Sequence, residues 1–308
     1  MPAPDIAIHS NQKVAISSSW GVPLREDVSF TNAHGANGGS LNNRAKWALK
    51  HLQVPLGKVL EPDEVVLFLT PGQKMADAPE RYMLGVGYRV LTRAWLILTN
   101  RRLLHLSLRW NGQWNRNLRS ARWGDVKEFQ ITGRFRGKLL LKYHGGSCET
   151  YWHIPKQAMA KLRILLDTLL PAGRGETSAA KGMASFCPQC LAGLTPGVYE
   201  CPNCRLKFKD DRGALLHGLM VPGGGYFYIG LNLMGITHAF VDVSMLLSAI
   251  VSVLALMGKV HPPAIRGAPQ AKWVFAVSAL VFSAALVTRI WLSIRVARKA
   301  VRTFIPTS

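Results

Sequence analysis

The residues best placed to do chemistry are four cysteines. Cys187 and Cys190 stand in "CPQC", Cys201 and Cys204 in "CPNC", with ten residues between the pairs. Each pair sets two thiolates on one tight turn, and the proline helps to fix that turn. Two such turns brought together make a tetrahedral cage of four sulfurs, which suits Zn²⁺ and leaves no position open for water or substrate. A structural metal is therefore expected, with iron as the alternative to zinc. Redox use is disfavoured, because disulfide-exchange pairs sit at a strand-to-helix junction in a βαβ setting that this chain lacks. Cys148 stands alone.

Two further groups could act on a partner. Asp242 is the single acid among the last 96 residues, and His238 lies four positions before it, on the same helical face. An acid inside an apolar span is costly and reads by default as functional, here as a proton relay or ion path. The alternatives are that Asp242 caps a helix, binds the backbone of a neighbouring half-helix, or lies near the interface. The second group is basic and aromatic. "GRFRGK" sets Phe135 between Arg134 and Arg136, with Lys138 close behind, which suits inserting a ring while pairing with phosphates; Arg109, Trp110 and Trp114 have similar character. The competing reading of these arginines is a solvated surface. Arg205, Lys207 and Lys209 flank Phe208 like a nucleic-acid finger, but Asp210 and Asp211 follow at once and weigh against it. No phosphate-cradling glycine loop, nucleophile elbow or open histidine site is present. His105, His144 and His153 read as packing or surface residues of strands, so no enzyme is expected.

The elements that must position these residues differ along the chain. From Gly213 onward there are eight Lys/Arg and one acid, against thirty and sixteen before it. A soluble basic front is thus joined to an apolar back. Residues 1–40 read as disordered and show no signal-peptide core, which places the front in the reducing cytoplasm. Residues 41–60 form a short amphipathic helix or linker, with Leu41, Ala45, Ala48 and Leu52 on one face and Trp47 able to reach a headgroup layer; the alternative is a helix packed on the next domain. Seven short strands follow at 64–70, 93–99, 101–109, 117–123, 126–132, 138–144 and 148–154, separated by glycine turns. A helix over 156–170 repeats apolar residues at Ala158, Leu162, Leu165 and Leu169.

The back contains a piece at 213–229, broken by "PGGG", and apolar runs over about 232–258 and 273–294. The last carries Trp273 and Trp291 at its ends, with Arg289 free to snorkel towards Arg295, Arg298, Lys299 and Arg302. Dense positive charge keeps the tail, 296–308, in the cytoplasm. With both ends on one side, two spans plus a half-helix are expected, and three spans is the alternative.

Several segments resemble known families. Seven strands and a helix over 61–171, with "WLILTNRRLLHL" and "RWGDVKEFQIT", resemble the bacterial PH-like and GRAM-like domains, which implies a seven-stranded β-barrel closed by a C-terminal helix. The cysteine unit, 186–209 after a linker at 172–185, is similar to zinc ribbons. Pro222, Gly223, Gly225, Tyr228 and Gly230 fit P-G-x-G-x-x-Y-x-G, similar to a membrane module that follows zinc ribbons in bacterial membrane proteins; the polar residue usual before that Tyr is replaced by Tyr226-Phe227. The whole is expected to be a multidomain α+β membrane protein of the bacterial inner membrane. It would be a non-enzymatic binding or scaffold protein whose barrel meets anionic membrane lipids, a protein partner or its own copy. The alternatives are a nucleic-acid or regulatory adaptor, and a transport subunit using Asp242 and His238.

Overall fold

A computed structural model describes residues 18–75, 92–108, 112–173, 181–260 and 272–307. The chain divides into two compact units, one ending at Leu206 and the other beginning at Lys207.

The first unit is built on strands β1 (Val66–Lys74), β2 (Arg93–Thr99), β3 (Arg102–Leu108), β4 (Trp114–Arg122), β5 (Val126–Thr132), β6 (Arg136–Tyr143) and β7 (Cys148–Pro155), with β8 (Ala184–Phe186) and β9 (Gly193–Leu194) from the cysteine segment. They form one antiparallel sheet of nine strands, ordered β5-β6-β7-β1-β2-β3-β4-β8-β9. The expected count of seven is thus corrected. The edge of β4 is taken by β8, and a short turn over Trp123–Asp125 links β4 to β5, so the ladder among the described residues stays open rather than closing as a barrel.

Both faces of the central strands are covered, which explains their unbroken apolar runs. Leu96, Leu98 and Leu103 face one core, with Ala158, Leu162, Leu165 and Leu169 of helix α3 (Lys156–Ala172). Trp95, Ile97, Leu104 and Leu106 face a second core, covered by helix α2 (Ser40–Val59). In α2 the buried positions include Leu41, Ala45, Ala48, Leu49, Leu52, Leu56 and Val59. Residues 41–60 are therefore a wall of the sheet domain rather than a linker, and Trp47 packs near Trp95 with ring centroids 6.4 Å apart. A 20-residue helix of middling propensity owes its stability to such packing.

The ordered unit also starts before residue 40. Val22, Leu24 and Val28 are buried, Leu24 bridges to Val66, and helix α1 (Glu26–Ser29) is tied down by Ser29 Oγ donating to the Leu67 carbonyl at 2.9 Å. The Lys161 ammonium donates to the carbonyls of Val28 and Thr31. Composition hid these few anchors in a polar stretch.

The "TNRR" turn is a structural knot. Thr99 Oγ1 accepts from the Arg102 N–H at 3.0 Å and donates to Glu64 at 2.7 Å. Arg102 grips the fully buried Glu64 with two bonds, at 2.9 and 2.7 Å, and Asn100 Oδ1 accepts from Val65 N–H at 2.9 Å.

The second unit contains helices α4 (Asp211–Met220), α5 (Gly224–Tyr228), α6 (Asn232–Leu256) and α7 (Lys272–Val301). The last two are long and apolar enough to cross a membrane. Helix α7 runs beyond the expected 294, and the residues after it are not a loose tail. Lys209 N–H donates to the Ile305 carbonyl at 2.9 Å, Thr307 N–H to the Lys207 carbonyl at 3.1 Å, and the Phe208 and Phe304 rings meet at 5.5 Å. Both ends of this unit are tied together.

Candidate metal centre

Each C-P-x-C turn is built the same way. Cys187 N–H donates to the Ala192 carbonyl at 2.9 Å, and Leu191 N–H returns to the Cys187 carbonyl at 3.0 Å. In the second turn Cys201 N–H donates to the Leu206 carbonyl at 2.9 Å, and Arg205 N–H to the Cys201 carbonyl at 3.0 Å. Leu191 and Arg205, each directly after the second cysteine of its pair, share a positive φ, of 60° and 58°. The chain thus rolls two knuckles that present all four sulfurs inward.

The sulfurs lie within 4.8 Å of one another, Cys187 to Cys204 at 3.5 Å and Cys190 to Cys201 at 3.4 Å. Four sulfurs at about 2.3 Å from a tetrahedral metal stand about 3.8 Å apart, so the set fits a metal ion with only small adjustment. Cys187 and Cys201 are buried, and the other two are half-buried. As free thiols they differ: burial pushes Cys187 up to about 12, whereas the Ala192 N–H draws Cys190 down to about 7. A closed four-sulfur shell holds structure and offers a substrate nothing.

The cage adjoins the edge of the sheet. Cys187 follows β8 directly, and Cys190 stands three residues before β9. Phe186 and Leu191 pack against the second core, so the expected separate ribbon is an extension of the sheet domain.

The basic-aromatic residues do not act as one group. Phe135 is 78% exposed at the β5–β6 turn, with the Arg134 guanidinium 5.6 Å from its ring centre. Arg136 hydrogen-bonds His153 at 3.0 Å, and Lys138 sits in β6 opposite Thr132. Trp114 instead packs on the second core and donates its Nε1–H to the Asn117 carbonyl at 3.0 Å, which removes it from the candidate contact set. Arg109 and Trp110 lie outside the described residues.

In the second unit the glycine module forms the break between α4 and α5. Asp210 caps α4 by accepting from Gly213 N–H at 2.7 Å, and the Tyr228 hydroxyl donates to the same carboxylate at 3.1 Å. Pro222 precedes Gly223, which has a φ of 67° and whose missing Cβ would strike the Gly235 carbonyl oxygen. A Cβ on Gly225 would lie 2.8 Å from the Ser293 carbonyl, whereas Gly230, at φ 83°, has open space around it.

Asp242 is fully engaged. Its Oδ2 accepts from Gly223 N–H at 3.1 Å and its Oδ1 from Arg289 Nε at 2.9 Å; Arg289 Nη2 also reaches His238 Nδ1 at 2.8 Å. Arg289 therefore turns inward to a buried carboxylate instead of snorkelling along α7. Its pairing with Asp242 was open to a charge-complementarity argument: one acid and one mid-helix arginine in two apolar segments.

A second polar cluster gave little sequence signal, because its members are scattered over four strands. Buried Glu149 accepts from Lys74 Nζ at 2.9 Å, pairs with Arg119 Nη2 at 2.6 Å and accepts from the Tyr151 hydroxyl at 2.5 Å; His105 Nδ1 lies 3.1 Å from that hydroxyl. Burial pushes Glu149 up, but Arg119 and Lys74 outweigh it and hold the carboxyl down to about 2. Burial, then Arg119, drives the His105 imidazole down to about 3, so it is neutral at physiological pH. No family model, curated protein or solved structure matches this chain.

Proposed function

We propose that this chain is a non-enzymatic binding protein anchored in the bacterial inner membrane. A PH-like domain contacts anionic lipid, the four cysteines hold a structural Zn²⁺, and α6 and α7 are the two spans. The exposure of Phe135 beside Arg134 and Arg136 carries the lipid reading: a large ring left in water between two cations suits a headgroup layer, which takes the ring and pairs the charges. The pairing of residues 207–209 with 305–307 supports an even number of crossings, with both ends on the cytoplasmic side where the basic residues are favoured.

The other readings find less support. Phe208 is buried against Phe304 and offers no ring for stacking on a base. Both oxygens of Asp242 are held by an arginine and a backbone N–H, which favours a structural role over proton transport.

Co-sedimentation of zinc-loaded residues 18–206 with vesicles tests the lipid reading. Anionic vesicles are expected to bind and neutral ones not. Replacing Arg134, Phe135 and Arg136 by Ser, Ala and Ser is expected to cost at least about 2 kcal/mol, roughly thirtyfold in affinity. Equal binding by the substituted protein would reject this hairpin as the contact.

A further inference from the structure

The metal cage stands at the end of the sheet, and its two flanking strands are too short to hold there unaided. Strand β8 has three residues and β9 two, well short of the typical length of about five to six. Yet β8 covers the edge of β4, with Leu118 opposite Phe186, Arg119 opposite Ser185 and Ser120 opposite Ala184. The β8–β9 connection is almost wholly the first knuckle, pinned at Cys187 and Cys190 to Cys204 and Cys201 of the second. Arg119, on the covered stretch, is also one of the two cations that pair with the buried Glu149, Lys74 being the other.

We infer that metal occupancy of the cysteine cage controls whether the edge of β4 is covered, making the ribbon a metal-held strand cap. With metal bound, the knuckles are locked and β8 stays paired. With metal removed, the cap is left to two short strands and the packing of Phe186 and Leu191. The cap then detaches, leaving the backbone groups of Leu118–Ser120 open to water or to another strand. The coupling runs through the backbone ladder and asks nothing of the cage beyond closure. It rests on the metal reading proposed above.

Hydrogen exchange of the full chain in lipid nanodiscs, with zinc bound and after chelation, is the test. Metal content is measured on the same samples. The segment Trp114–Arg122 is expected to exchange at least about tenfold faster without metal, while Arg93–Thr99, internal to the sheet, is unchanged. A Ser185→Pro variant keeps all four cysteines but breaks β8 pairing. It should still bind one zinc and should exchange rapidly at β4 with or without it. Metal release that leaves β4 exchange unaltered overturns the inference alone, as does simultaneous loss of protection in Arg93–Thr99. A chain that takes up no metal overturns both the metal reading and this one.

Discussion

Asp242 shows how much depends on a single partner. Removing its carboxylate leaves Arg289 charged in an apolar hairpin and Gly223 N–H without an acceptor. Asp242→Leu is expected to destabilise the second unit by about 3–5 kcal/mol, the range for breaking a buried pair from one side. The double change Asp242→Leu with Arg289→Leu should cost less than the sum of the two single changes. Detergent-unfolding midpoints of the four proteins would measure that difference, and strict additivity would dissociate the pair. At the same scale, His105 and Glu149 set an acid limit on the first unit. Both have folded pKa values below their unfolded ones, so the unfolded chain binds more protons as pH falls. Stability is complete above about pH 6.5, the ordinary imidazole value, and declines towards pH 3 as His105 is forced to charge; Glu149 adds its loss between its usual range and about 2. A thermal midpoint that is flat from pH 7 to 4 would contradict this, and His105→Gln is expected to remove the upper part of the decline.

At the scale of elements, the two left-handed glycines of the segment 222–230 should behave differently. Gly230→Ala meets only the backbone penalty, about 1–2 kcal/mol, because its surroundings are open. Gly223→Ala adds a collision with the Gly235 carbonyl and should cost clearly more or prevent folding, as read by yield and midpoint in detergent. Equal costs would mean that the turn between α4 and α5 is free to move away from α6. The break itself was legible, since "PGGG" has few other uses, and so was each strand from β1 to β7 to within a few residues. The knuckles were legible too, because cysteine spacing is a local property. What covers what was not. The apolar stripe of α2 states that it packs, not that it packs on Trp95 and Ile97. The pairing of β8 with β4 joins residues about 65 positions apart through three ordinary side chains, and periodicity carries no information at that distance. Val22, Leu24 and Val28 were missed because a sparse set of anchors in a Ser- and Asn-rich stretch lacks any period.

At the scale of the molecule, the basic excess and the helical hairpin belong to one picture. Two helices of 25 and 30 residues, roughly 38 and 45 Å long, cover an apolar layer of about 30 Å with turns to spare. The surplus of α7 carries Arg295, Arg298 and Lys299 at the end that leads to residues 305–307, which are hydrogen-bonded to 207–209. Were the first unit to contact lipid as proposed, tethering to such an anchor would supply a high effective concentration, so a weak affinity would suffice. Vesicle-sided labelling tests most directly the proposed arrangement of a cytoplasmic binding domain on a two-span anchor. Exposed Cys148 serves as the probe in the first unit, and a Pro263→Cys change marks the connection between α6 and α7. With zinc present, a membrane-impermeant maleimide is predicted to label Cys148 only in inside-out vesicles and position 263 only in right-side-out ones. Labelling of both positions from the same side would contradict the account.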